Sequence, residues 1–226
     1  MEQFLQNTLQ NSQDAFQKWK KIPFEERQKY FTQLSEILND RKQEFGEIIT
    51  KEMNKPISQS VSEIEKCAAL CDYYATAENI LKTEQVETEF QISEIHHEPL
   101  GVILGIMPWN FPFWQAIRFA VPTILAGNVI VLKHASICEK SGETMQEIFE
   151  KAGFPKGVFT FLKVSHTEVE EMIAHPIIRG VSLTGSEAAG RKIAETAGKN
   201  LKKYVLELGG SDAFIVCEDA DVRKAA

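Results

Sequence analysis

A chain of 226 residues, 43% hydrophobic and 25% charged, is long enough to bury a sizeable core, and its composition excludes disordered, collagenous and coiled-coil classes. Its net charge of −7 argues against nucleic acid as a partner, because phosphate contacts require a basic face. The first ten residues are polar, and the longest apolar run, 119–132, is too short to span a bilayer and is broken by Pro122, Gly127 and Asn128. A cytoplasmic protein with no membrane partner is expected.

In chain order, residues 1–82 read as helices. Phe16, Trp19, Phe31, Leu34, Ile37, Leu38 and Phe45 recur at helical spacing, Lys55-Pro56 punctuates, and a further helix is expected over 58–81. These helices form a layer packed on something else. Cys67 and Cys71 share one helix face. Buried helix thiols are favoured there over a metal site, since no CxxC pair or His cluster accompanies them.

Residues 83–98 change pattern. Val86, Thr88, Phe90, Ile92 and Ile95 nearly alternate with charged residues, as in an exposed two-stranded ribbon that can recruit another subunit. From 99 to 226 strands and helices alternate. Strands are expected at 101–107, 128–133, 158–162, 177–183, 205–208 and 213–217, with helices at 112–126, 137–152, 166–174 and 187–199. A final helix starts after Asp219. Near-continuous Val/Ile/Leu strands separated by helices imply a Rossmann-like, doubly wound parallel sheet covered on both faces, an α/β fold that binds ligands beyond its strands' carboxyl ends.

Four motifs carry chemistry, and each has a plainer alternative. In Gly105-Ile-Met-Pro-Trp-Asn-Phe-Pro112, the Asn110 amide could donate to a developing oxyanion, or the segment could be a structural turn. Lys133 ends a strand and could hold a ribose or phosphate, or be solvated. Leu183-Thr-Gly185-Ser186, followed by Gly190, sits at a strand-to-helix turn where glycine admits a phosphate and the helix amino terminus favours an anion. It is not GxGxxG, and the glycine spacing alone is weak. In Val205-Leu-Glu207-Leu-Gly209-Gly210, a carboxylate at an apolar strand end could have a raised pKa and act as a general base, or be an ordinary strand-end glutamate.

In this combination and order the motifs resemble the aldehyde dehydrogenase superfamily, over essentially the whole chain. The resemblance implies a sheet that binds NAD or NADP and a small aldehyde as substrate. It implies that a cysteine thiolate attacks the aldehyde, that Asn110 helps hold the oxyanion, that hydride passes to nicotinamide, and that Glu207 activates the hydrolytic water. It further implies that Lys133 holds the adenosine ribose. Gly185 and Ser186 would border the pyrophosphate, and Gly190 would allow close helix packing. Met107, Pro108 and Trp109 would line the coenzyme, and Leu208 would sit near the nicotinamide.

Two departures qualify this. The family often places a glutamate after the ribose strand to hold both hydroxyls. Here that position is Ser136, in Lys133-His134-Ala135-Ser136, and a serine would not repel a 2′-phosphate, so NADP or dual use stays open. His134 reads as a wall residue. Arg118 lies eight residues after Asn110, two helical turns on, and so is expected to share its face. It matches an arginine that faces the substrate carboxylate in the succinate-semialdehyde group. A surface arginine is the alternative.

The second departure is an absence. The nucleophile and the second, catalytic lobe are expected a few tens of residues after Glu-Leu-Gly-Gly, and the sequence stops at Ala226. Cys217 is expected to be a buried structural thiol ending a strand, and Cys138 to begin a helix remote from the motif. Two readings therefore stand: part of an enzyme, inactive alone, or a non-catalytic coenzyme-binding remnant or interaction module that pairs through its ribbon, with a homo-oligomer possible. An unrelated reductase is disfavoured, because no Tyr-x-x-x-Lys pattern follows the strands.

Overall fold

The computed structural model describes residues 2–78 and 80–225. It opens with four helices, α1 (Glu2–Trp19), α2 (Phe24–Asp40), α3 (Lys42–Met53) and α4 (Ile57–Thr76). A short antiparallel ribbon follows, β1 (Glu84–Gln85) with β2 (Glu94–Ile95). Then come β3 (Val102–Met107), α5 (Pro112–Leu125), β4 (Val129–His134) and a 3₁₀ turn (Ser136–Cys138) leading into α6 (Glu139–Lys151). The chain continues through β5 (Phe159–Phe161), α7 (His166–Ala174), β6 (Ile178–Gly185), α8 (Glu187–Lys199), β7 (Lys203–Leu208) and α9 (Val222–Ala225).

The periodic apolar residues of the leader do what their spacing predicts. Phe16, Trp19, Phe31, Leu34, Leu38 and Phe45 are buried, and Ile37 packs partly buried against them. Trp19 donates its indole N–H to the Ile124 carbonyl at 2.8 Å, fastening the leader to the last turn of α5. Arg27, whose pKa is lowered chiefly by burial, donates from Nε to Leu125 O at 2.8 Å in the same turn. A cation on the carbonyl end of a helix also meets its dipole favourably.

Helix α4 stops at Thr76 rather than near 81. The reason is lateral: Gln28 of α2 donates its side-chain amide to the carbonyls of Tyr74 and Ala77, both at 2.9 Å, and Ala77 is extended. That cap from another helix cannot be read from local periodicity. Cys67 and Cys71 lie buried in α4. The ribbon is shorter than the alternating pattern implied, two residues a strand, and its connection exposes Phe90 and Ile92.

The five-stranded sheet is parallel throughout, in the order β5-β4-β3-β6-β7. From β3 the chain first builds outward through β4 and β5, then returns to the other side for β6 and β7. The carboxyl ends of β3 and β6 therefore flank a topological switch point, where a crevice must open because successive connections leave in opposite directions.

Two expectations fail at the far edge. The central strands are buried, but β7 is largely exposed, so the sheet is not covered on both faces there. Residues 213–217 form no strand, and Phe214 and Ile215 are 78% and 80% exposed. Their composition is strand-like, but no described residues pair with them or cover them. Cys217 is consequently exposed, not buried.

Candidate functional site at the sheet switch point

Beyond the ends of β3, β6 and β7 lies a cavity of about 490 Å³. Pro108, Trp109 and Asn110 enter it from the turn after β3, Gln115 and Arg118 from α5, Thr184, Gly185 and Ser186 from the end of β6, and Glu207, Leu208 and Gly209 from the end of β7. Residues far apart in the sequence, Asn110 and Arg118 on one side and Ser186 and Glu207 on the other, thus share one space.

Asn110 lies in the turn ahead of α5, so the face it shares with Arg118 is that of the cavity and not of one continuous helix. Its side-chain oxygen accepts the Phe111 backbone N–H at 3.1 Å. That use of Oδ1 leaves the Nδ2 amide as its donor. Arg118 and Glu207 meet directly: a guanidinium nitrogen stands 3.4 Å from Oε2, with the side chains 42% and 55% exposed. The desolvated setting expected for Glu207 is therefore absent. An exposed pair of this kind is worth about 0–1 kcal/mol, so a competing carboxylate can take the arginine over.

Ser186 caps α8, accepting the Ala189 N–H at 3.3 Å. A methyl group at Gly185 would meet only Leu183, at 3.5 Å, so protein packing does not demand glycine there. What its missing side chain leaves open is the cavity. Gly190 is the opposite case: a Cβ would stand 2.7 Å from Leu208 Cδ2, so the first turns of α8 lie against the end of β7 more closely than a larger residue allows without moving Leu208.

A second cavity, about 340 Å³, opens across the first turn of α8 from the first. It is walled by Ile106, Leu183, Val169, Ala188, Ala189 and Ile193, with Lys133 and Lys192 among its cations. Apolar walls with a charged rim suit a flat ring carrying a polar substituent. Lys133 is buried, and that burial lowers its pKa while Glu139 opposes the effect. Ser136 is exposed in the 3₁₀ turn and lines neither cavity. Met107 is buried at the end of β3 and also lines neither.

Sequence reasoning missed several contributors. Gln115 lines the first cavity with its buried Oε1 lacking a hydrogen-bond partner among the described residues. Glu63, a fully buried carboxylate of α4, accepts the backbone N–H groups of Phe113 and Trp114 at 2.9 and 3.0 Å. His134, expected as a wall residue, lines neither cavity; it is buried and ties two segments together. Its Nε2 stands 2.8 Å from the Pro112 carbonyl, and its Nδ1 accepts the Ala135 N–H at 2.9 Å. Burial lowers its pKa to about 4, so the ring is neutral with the proton on Nε2. Cys138 is not remote from the asparagine turn, because its thiol lies 3.8 Å from the Trp109 carbonyl. It is buried, and burial raises its pKa to about 12. No cysteine among the described residues lines the first cavity. Among the described residues no helix is long and apolar enough to cross a membrane.

A match to the aldehyde dehydrogenase family covers residues 2–226. The chain is 46% identical over 218 residues to a probable NADP(+) succinate-semialdehyde dehydrogenase of Synechocystis, covering 96% of this chain and 48% of that protein. It is 43% identical to the NAD(P)+ succinate semialdehyde dehydrogenase of Escherichia coli, covering 98% and 48%. The fold superposes on the NADP+ complex of succinic semialdehyde dehydrogenase from Streptococcus pyogenes with a TM-score of 0.94 at 41% identity, over 99% of this chain and 50% of that one. The chain thus spans about half the length of these relatives. With the motif order, the parallel sheet and the switch-point cavity all in agreement, the chain belongs to the aldehyde dehydrogenase family.

Proposed function

We propose that this chain supplies the coenzyme-binding sheet and part of the catalytic machinery for NAD(P)-dependent oxidation of an aldehyde to a carboxylic acid, with succinate semialdehyde as substrate. The observation that carries the reading is the single cavity shared by Asn110, Arg118 and Glu207. Asn110 offers an amide donor with its oxygen already engaged, suited to hold a carbonyl oxygen as it gains charge. Glu207 offers a carboxylate at the cavity wall, placed to take a proton from an attacking water. Arg118 offers a fork for a carboxylate at the far end of the substrate. A free carboxylate on Arg118 would replace Glu207 there and release the base.

The residues present fit a dinucleotide. The open backbone at Gly185 and the capped start of α8 suit a pyrophosphate, Lys133 a ribose, and the apolar second cavity an adenine. Trp109, Pro108 and Leu208 line the space that continues toward Asn110. When bound, the coenzyme would supply the acceptor for the hydride lost by the substrate's carbonyl carbon. Ser136 stands where the family often places a glutamate, so that position brings no carboxylate to repel a 2′-phosphate and NADP is admitted as well as NAD; the carboxylates that do lie nearby are Glu139, which acts on Lys133, and Glu170 of the second cavity. Both coenzymes stand in the names of the relatives. We divide the chain into a helical layer (1–82), an exposed ribbon of the oligomerisation type (83–98) and the NAD(P)-binding part (99–226).

Calorimetric titration with NAD and NADP tests the coenzyme half of the reading. Saturable binding is expected, weakened about tenfold or more by Lys133→Ala, since a lost hydrogen bond from a charged group costs about 1.5–3 kcal/mol. Equal binding by the folded Lys133→Ala chain would refute the assignment. No binding to a folded wild-type chain would refute the site itself.

A further inference from the structure

We propose that Glu63 and Lys55 form a buried clip that positions Asn110, acting as positioning residues for the carbonyl-holding amide. The inference rests on the reading of Asn110 above and adds residues from a different layer of the fold.

The turn between β3 and α5 has little of its own to hold it. Phe111 occupies the cap position of α5 and makes no side-chain capping bond, where serine, threonine or aspartate would satisfy the first free N–H groups. Helix α4 supplies the missing acceptor. Glu63 Oε1 accepts both the Phe113 and the Trp114 N–H, and Oε2 accepts Lys55 Nζ at 2.7 Å. Neither side chain is free to wander: Glu63 is 0% exposed and Lys55 11%. The Lys55 ammonium also stands 3.7 Å from the centre of the Phe111 ring. The pair therefore grips residues 111, 113 and 114, immediately after Asn110. The turn is held from beneath as well, by His134 on the Pro112 carbonyl and Cys138 beside the Trp109 carbonyl. Asn110 lines the cavity from the start of this clamped segment, its own oxygen tied to the Phe111 N–H.

Stability alone is a poor reason for the pair. Burying two charges is costly, and apolar replacements of similar volume are often as stable. Two convergent N–H bonds to one carboxylate oxygen do fix direction, which a packed apolar residue cannot. A displacement of about 1 Å in a catalytic group can cost about 100-fold in rate, so orientation is where such a clip has its effect.

The test is the side-chain amide resonance pair of Asn110 in the isotopically labelled chain, with the Trp19 indole resonance as a fold control. Lys55→Ala and Glu63→Gln are each expected to shift or broaden the Asn110 pair and the amides of 111–114. The Trp19 signal should stay in place, and Lys55→Arg should restore the wild-type pattern. If Glu63→Gln does not fold, Lys55→Ala carries the test alone. Unmoved Asn110 resonances in a folded Lys55→Ala chain would overturn the clip. Separately, succinate semialdehyde added to the wild-type chain with NADP should perturb the Asn110 pair. Failure of that perturbation alone, with the variants behaving as expected, would remove the reading of Asn110 and not the clip.

Discussion

At the scale of single residues, two positions separate structural from functional cost. Gly190→Ala would bring a Cβ to 2.7 Å from a terminal methyl of Leu208, a side chain 41% exposed and able to swing away. Alanine gains about 1 kcal/mol over glycine inside a helix, which offsets the modest cost of that movement. The expected result is an unfolding free energy, measured in urea, within about 1 kcal/mol of wild type but coenzyme affinity lower by roughly tenfold, because Leu208 is displaced into the cavity it lines. Unchanged affinity would mean that Leu208 does not bound the coenzyme site. His134 gives a pH signature. Burial holds its pKa at about 4 against an ordinary 6.5, so between those values the unfolded chain binds the extra proton. The stability that this buried neutral ring contributes is complete above about pH 6.5 and drains away as pH falls toward 4, about 3 kcal/mol in all. His134→Gln can keep a donor for the Pro112 carbonyl but cannot titrate. Its unfolding free energy should therefore fall less steeply between pH 7 and 5 than that of the wild type, by about 2 kcal/mol over that interval. Equal slopes would show that His134 does not titrate on unfolding.

At the scale of elements, the segment 213–217 is the sharpest case. It is exposed and makes no ladder bonds, so its amides should exchange with solvent at rates near those of an unfolded chain, while β3 and β4 exchange only through global opening. Slow exchange at Phe214 and Ile215 would mean that they are covered in solution, for example by a second copy. The same segment shows what a sequence reveals about elements. Strands β3 and β4 were legible because burial on both faces leaves near-continuous runs of apolar residues, β6 because Ile178, Val181 and Leu183 still stand out as buried positions, and α5 through α8 because one face of each is apolar. Residues 213–217 carry that same apolar signature, but strand formation needs a neighbour, and composition does not say whether one is there. Helix α4 was overextended for a related reason, since its terminating cap comes from Gln28, 46 residues earlier than Tyr74. In the candidate site, Lys133 and Glu207 were legible because they stand at strand ends, and Asn110 because its motif falls between a strand and a helix. Glu63 was not, because a glutamate in a mid-helix run looks solvated until the neighbour that buries it is known.

At the scale of the whole molecule, the decisive quantity is where the thiols lie relative to the cavity. Aldehyde oxidation of the proposed kind needs a nucleophile within reach of Asn110, and the useful species is the thiolate. Cys67 and Cys71 are buried in α4, with burial raising both pKa values, and neither lines the cavity. Cys138 comes nearest the turn, but with its pKa at about 12 only roughly one molecule in 10⁵ would carry the thiolate at pH 7, and its sulfur faces the backbone of Trp109 from the buried side. Cys217 is exposed on the unpaired segment and absent from the cavity wall. These 226 residues should therefore bind coenzyme without reducing it. Purified chain incubated with NADP or NAD and succinate semialdehyde should show no growth of reduced-coenzyme absorbance above the rate without protein. Robust turnover would sink this prediction, and turnover indifferent to Glu207→Gln would take the assigned base with it. If instead the chain is silent alone but Glu207→Gln abolishes the activity regained when a polypeptide bearing the reactive thiol is added, then the cavity at the switch point contributes its carboxylate to a site whose nucleophile comes from that added polypeptide.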